Sequence, residues 1–169
     1  YISGVRLMEC VNKDIENPFT KEILEIGNNP ADTAQYYDFF DLSKIPTELK
    51  SRPLYIHLDM SVTGDKTGIA GVWIVNKKSN HIEGQPDSKE LFYRVAFCVA
   101  IKAPKGYQVS YEKNRQFIYW LKEQGFNIKG VSSDSYQSAD MLQQMRSKNF
   151  EYDIISVDRV SPNDHVCLP

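Results

Sequence analysis

The chain lacks any apolar run approaching the ~18 residues that a membrane-crossing helix needs, and no charged-then-apolar leader opens it. A membrane span and a signal peptide are therefore not expected. Cysteine is scarce. Cys10, Cys98 and Cys167 are odd in number and far apart, which fits neither a disulfide framework nor a CxxC zinc site and makes a reducing cytoplasm the expected setting. A charge excess of either sign is also missing. Twenty Lys and Arg against 22 Asp and Glu leave a net charge of −2, which argues against a wholly basic nucleic-acid binder. It leaves room for an enzyme that meets DNA through a local basic rim and bound cations. No internal repeat or low-complexity tract is visible. What remains is 169 residues, 41% hydrophobic and 25% charged, the composition of one ordinary domain with enough chain for a core.

Residues 1–53 differ from the rest. The segments 17-NPF-19, 27-GNNPAD-32, 45-IP-46 and 52-RP-53 punctuate short elements, with brief helices expected around 31–40 and 46–51. This stretch reads as a linker or arm packed on a main domain formed by residues 54–169. Its aromatics Phe19, Tyr36, Tyr37, Phe39 and Phe40 are expected to pack rather than to bind a ligand. The chain opens on Tyr1 and stops at 165-HVCLP-169, so a fragment of a longer polypeptide, truncated at its C-terminal end, is expected.

From residue 54 the pattern turns to α/β. Runs rich in Val, Ile, Tyr and Phe predict strands over 54–60, 68–76 and 91–101, the last two forming a projecting hairpin around the polar loop 77–90. Phe117, Trp120 and Leu121 fall at helical spacing between a Ser110 N-cap and a Gly125 stop. A strand over 128–134, a helix over 136–149 with Met141, Leu142 and Met145 on one face, and a strand over 152–158 complete the order. The order β-β-β-α-β-α-β predicts a mixed five-stranded sheet, three antiparallel strands then two parallel, with helices on its faces. With the fourth strand parallel to and beside the first, their carboxyl ends emerge at one edge, where ligands of open α/β sheets sit.

The stretch 54-LYIHLDMSVTGDKTGIAGVWIV-75 runs from an apolar strand into an acidic, glycine-punctuated turn and back into a strand. Asp59 ends the first strand, and an ionised carboxylate among apolar side chains is costly without a positive partner. The fourth strand, 131-VSSD-134, ends in the same way with Asp134. Two carboxylates facing each other repel unless a cation sits between them, and an all-oxygen site suits Mg²⁺ or Mn²⁺ better than zinc. Asp65, in a turn loosened by Gly64 and Gly68, is a candidate third oxygen ligand. The plainer reading is that each Asp caps a turn or a helix through backbone N–H groups.

With 133-SDSYQSADMLQQM-145 and 156-SVDR-159, the segment 56-IHLDMSVTGDKTGIAGV-72 resembles the nuclease domain of phage large terminase subunits. That domain is ribonuclease H-like and cuts concatemeric double-stranded DNA during genome packaging. The resemblance covers nearly the whole chain, since 17-NPF-19 and 41-DLSKIPTEL-49 are similar to the family's connection between packaging ATPase and nuclease. It implies two-metal phosphodiester hydrolysis leaving 3′-hydroxyl and 5′-phosphate ends. Asp59 would be the bridging ligand, Asp134 a ligand of one ion and Asp65 an auxiliary ligand. The implied partners are DNA, the ATPase domain of the same parent chain, the small terminase subunit and the portal protein, in the host cytoplasm. The family's third carboxylate, on a later helix, has no match here, because Asp158 and Asp164 come too early. A fragment without it is expected to cleave weakly.

Lys66 and Thr67 in the turn are candidate phosphate contacts, and Lys77, Lys78, Lys89 and Arg94 around the hairpin loop are a candidate DNA grip or merely solvating charge. His57 falls on the same side of its strand as Asp59, with a hydrogen-bonded core role expected. Two rival functions stand beside the nuclease. The turn 59-DMSVTGDKTG-68 is also similar to the first phosphate loop of actin-like ATPases and sugar kinases, although 131-VSSDSYQ-137 lacks the glycines of their second loop. A non-catalytic scaffold fragment of a packaging motor is the other.

Overall fold

The computed structural model describes residues 16–61, 64–80, 88–134 and 138–155. They form an α/β structure around one mixed six-stranded sheet of order β1-β4-β3-β2-β5-β6. The strands are β1 (Ile23–Glu25), β2 (Leu54–Asp59), β3 (Thr67–Asn80), β4 (Ser88–Lys102), β5 (Ile128–Ser133) and β6 (Tyr152–Ile154). The helices are α1 (Thr47–Lys50), α2 (Tyr111–Glu123) and α3 (Ser138–Ser147), with 3₁₀ turns at Tyr36–Phe39 and Leu42–Lys44. No helix among the described residues is long and apolar enough to cross a membrane.

The period-2 pattern of β2 sets the two faces of the sheet. Leu54, Ile56 and Leu58 are fully buried, whereas Tyr55, His57 and Asp59 point to the other, open face. The buried face is covered by α2, capped by Ser110, whose Oγ accepts from the Lys113 N–H, and α2 lays Phe117, Ile118 and Leu121 into the core. In α3, Met141 and Met145 are buried. The two helices are clasped by Arg115, which pairs with Glu112 on its own helix and reaches Asp140 of α3 at 2.7 Å. Gln116 and Arg115 together hold the Glu112 carboxyl below the usual range.

The sheet has one strand more than the sequence pattern predicts. The extra strand is β1, which comes from the segment expected to be an arm and pairs in parallel with β4, Leu24 opposite Ile101. Its three residues lie between turns, too short to show any period. Around it, Phe19, Leu24, Ile26, Tyr36, Phe40 and Ile45 join the same core as the sheet and helices. Phe19 and Phe40 bridge to each other and meet Phe97 of β4 and Phe117 of α2, at ring separations of 5.0–5.9 Å. The expected aromatic packing is thus present. Lys113 ties the segment to α2, its Nζ donating to the carbonyls of Asp32 and Ala34.

The projecting hairpin is present and longer than expected. β2 accompanies β3 only as far as Trp73, and beyond it β3 and β4 continue as a two-stranded ribbon to the pair Asn80 and Ser88. The expected helix and strand at 136–149 and 152–158 appear as Ser138–Ser147 and Tyr152–Ile154, and residues 135–137 and 156–158 lie outside the described residues.

Candidate functional site at the carboxyl edge of the sheet

β5 runs parallel to β2, as the βαβ order predicts, with Leu58 opposite Ser133. The next residue on each strand is the acid, so Asp59 and Asp134 leave neighbouring strand ends side by side, on strands about 4.8 Å apart. β4 and β6 also end at this edge, because β4 is antiparallel to β3, which is antiparallel to β2, and β6 is parallel to β5. Asp59 is exposed on the open face, so the burial cost expected for its charge does not arise. Its partner across the ladder is Gly68, where an added Cβ would lie 3.8 Å from the Asp59 Cβ. A larger side chain there would stand against the carboxylate.

Asp134 is positioned through its backbone. Tyr152 of β6, buried, donates its hydroxyl to Ser133 Oγ, which in turn donates to the Asp134 carbonyl at 3.1 Å. On the open face, His57 Nδ1 and Ser132 Oγ share a hydrogen bond of 2.9 Å between paired residues of β2 and β5. His57 is therefore hydrogen-bonded as expected, but half-buried on the face of Asp59 rather than in the core.

The turn after Asp59 is held by Thr67, which is fully buried. Its hydroxyl accepts from the Ser61 N–H and donates to the Ser61 carbonyl, both at 2.9 Å. That hydroxyl closes the turn, and no capacity is left over for a phosphate. Gly64, at φ +88°, takes the left-handed conformation that the turn requires. Asp65 and Lys66 are exposed at its tip. Asp65 lines a cleft of about 480 Å³ with Lys102, Lys105 and Tyr107, and Lys66 lines one of about 510 Å³ with Lys21, Glu25, Phe39 and Lys102.

Among the described residues no group of three or more His, Cys, Asp or Glu is gathered for a metal ion, so Asp59, Asp65 and Asp134 do not meet as one cluster. The donors of Asp59 and Asp134 are all oxygen, the chemistry that suits a hard divalent cation. The ligand set of a second ion is not found among the described residues.

The lysines expected at the hairpin stand far from these acids. Lys77 pairs with Leu91 and Lys78 with Glu90, ten and eleven residues beyond Thr67. At ~3.3 Å per residue, that is about 33 Å along β3 from the acidic edge. Around the turn that carries Asp65 and Lys66 stand instead Lys21, Lys102 and Lys105, none of them among the expected contacts. The signal was there in 102-KAPK-105, two lysines directly after a strand that ends at the ligand edge. Asp158, Arg159, Asp164, His165 and Cys167 lie outside the described residues. Compared with protein-family models, with curated proteins and with solved structures, the chain matches none.

Proposed function

We propose that the chain is a ribonuclease H-like, metal-dependent DNA endonuclease domain of a viral genome-packaging terminase, cutting concatemeric double-stranded DNA. The observation that carries this reading is the register of β2 and β5, in which Asp59 and Asp134 directly follow the paired residues Leu58 and Ser133. Magnesium or manganese bound there would polarise the scissile phosphodiester and make its bound water more acidic. The chain's own residues do the rest. Asp59 and Asp134 would hold the ion by oxygen, and Gly68 sets no side chain against Asp59. The Thr67–Ser61 hydrogen bonds fix the turn beside it, and the Tyr152–Ser133 pair fixes the backbone that carries Asp134. The parent chain's ATPase domain, the small terminase subunit and the portal protein are the partners that go with this reading, in the host cytoplasm.

The test is nicking of supercoiled plasmid in Mn²⁺, with chelator and substitution controls. Loss of a residue that merely orients a ligand costs ~10–100-fold, so losing a ligand is expected to cost at least about 100-fold. Asp59→Asn and Asp134→Asn should each slow nicking by that much while leaving the melting temperature within a few degrees of wild type. Nicking that survives chelator, or that both variants retain, overturns the proposal.

A further inference from the structure

The carboxyl edge also carries a concentration of positive charge that runs against the chain's net charge of −2. Two clefts meet at Lys102, one lined by Lys21, Lys66 and Glu25 and the other by Asp65 and Lys105. Four lysines and two acidic residues thus line these clefts around the end of β4 and the turn after β2, with the Lys21 ammonium over the Phe39 ring. All four lysines are exposed. Of the two carboxylates, Glu25 holds Lys102 at 3.2 Å, with both side chains more than half exposed. Such a surface pair is worth about 0–1 kcal/mol, so a phosphate displaces Glu25 at little cost.

Position gives this charge its meaning. Asp59 pairs with Gly68, and Gly68 with Ala100, so Asp59 and Ala100 lie in one row across the sheet. Lys102 lies two residues beyond Ala100 and, like Asp59, alternates away from the buried face, on which Ile101 is fully buried. Two strand spacings across and two residues along put its Cα about 12 Å from that of Asp59, roughly three to four nucleotides of axial rise. The Lys102 side chain here leans the other way, to Glu25 on β1.

We infer that Lys66 and Lys102, with Lys21 and Lys105 beside them, form the track for the phosphate backbone of a DNA duplex as it leaves the Asp59–Asp134 pair. The track lies on the β4–β1 side of the sheet rather than on the hairpin that carries Lys77 and Lys78. It deepens the nuclease reading and rests on it for the identity of the ligand, but its own evidence is the charge and the geometry of this edge. Glu25 restrains the track by holding Lys102 in the absence of DNA.

The test is binding of a fluorescein-labelled duplex of about 20 base pairs by the wild-type chain in EDTA, where cleavage does not contribute. Lys66→Ala/Lys102→Ala is expected to weaken binding at least about tenfold and to lower the slope of log affinity on log salt by about two. Lys66→Arg/Lys102→Arg should restore both, which excludes a folding defect as the cause. Glu25→Gln should tighten binding by up to about fivefold. Lys77→Ala/Lys78→Ala should leave affinity and slope at wild-type values. Wild-type binding by the rim variant, or an equal loss in the hairpin variant, overturns the inference. A rim-dependent binder that never nicks DNA in Mn²⁺ sinks the nuclease reading alone, and a metal-dependent nickase with rim-independent binding sinks the track alone.

Discussion

Tyr36 fills the centre of the packing between the first 3₁₀ turn and α2, fully buried, and its hydroxyl has no hydrogen-bond partner among the described residues. Burial first, and the Asp32 carboxylate second, push its ionisation well above the ordinary tyrosine value. The sign follows directly. Below about pH 10 the phenol is neutral in both folded and unfolded chains, and above it the unfolded chain ionises first, so stability is lost as pH rises. An unsatisfied buried hydroxyl costs about 1–3 kcal/mol, so Tyr36→Phe should stabilise the protein by about 1 kcal/mol at neutral pH and by more at pH 10.5. Thermal melts at the two pH values check this, and a destabilised variant would show that the hydroxyl is satisfied in solution. At the same scale, residue type was legible where chemistry is local. Asp59 and Asp134 stood out as strand-ending acids, and the Ser110 cap was plain from its position before a helical run. The role of Thr67 was not legible, because nothing in the letters 64-GDKT-67 says which hydroxyl turns back to Ser61.

Among the elements, long periodic ones were readable and short or exposed ones were not. β2 and α2 announce themselves because one face of each is continuously apolar, which is the pattern that burial selects. β1 escapes because three residues cannot display a period, and its pairing with β4 is fixed by contacts seventy-odd residues away in sequence. The ends of β3 and β4 escape for a different reason. The segment 77-KKSN-80 carries no apolar alternation, although its backbone is paired. Phe40 is one anchor of the N-terminal segment, its ring meeting those of Phe19, Phe97, Phe117 and Trp120 at 5.0–5.7 Å. Truncating a ring in such a site costs about 3–5 kcal/mol. Phe40→Ala should therefore lower stability by that amount in urea unfolding. A loss below about 1 kcal/mol would mean that the segment contributes little to the core.

Across the whole molecule, topology does what no single residue can. The βαβ order brings β5 beside β2, and that adjacency joins two acids seventy-five residues apart (134 − 59) at one edge. The same topology sends the hairpin lysines about 33 Å in the other direction and gathers Lys21, Lys102 and Lys105 in the clefts around Asp65 and Lys66. Sequence order revealed the first of these relations, because parallel neighbours follow from crossover helices. It could not reveal the second, because a strand's length fixes which of its ends a charge occupies. Crystals of the protein soaked in Mn²⁺ and measured for anomalous scattering test the shared acidic edge most directly. A peak within about 2.0–2.6 Å of carboxylate oxygens of both Asp59 and Asp134 is expected. An empty edge, or manganese bound elsewhere with these two side chains turned apart, would contradict it.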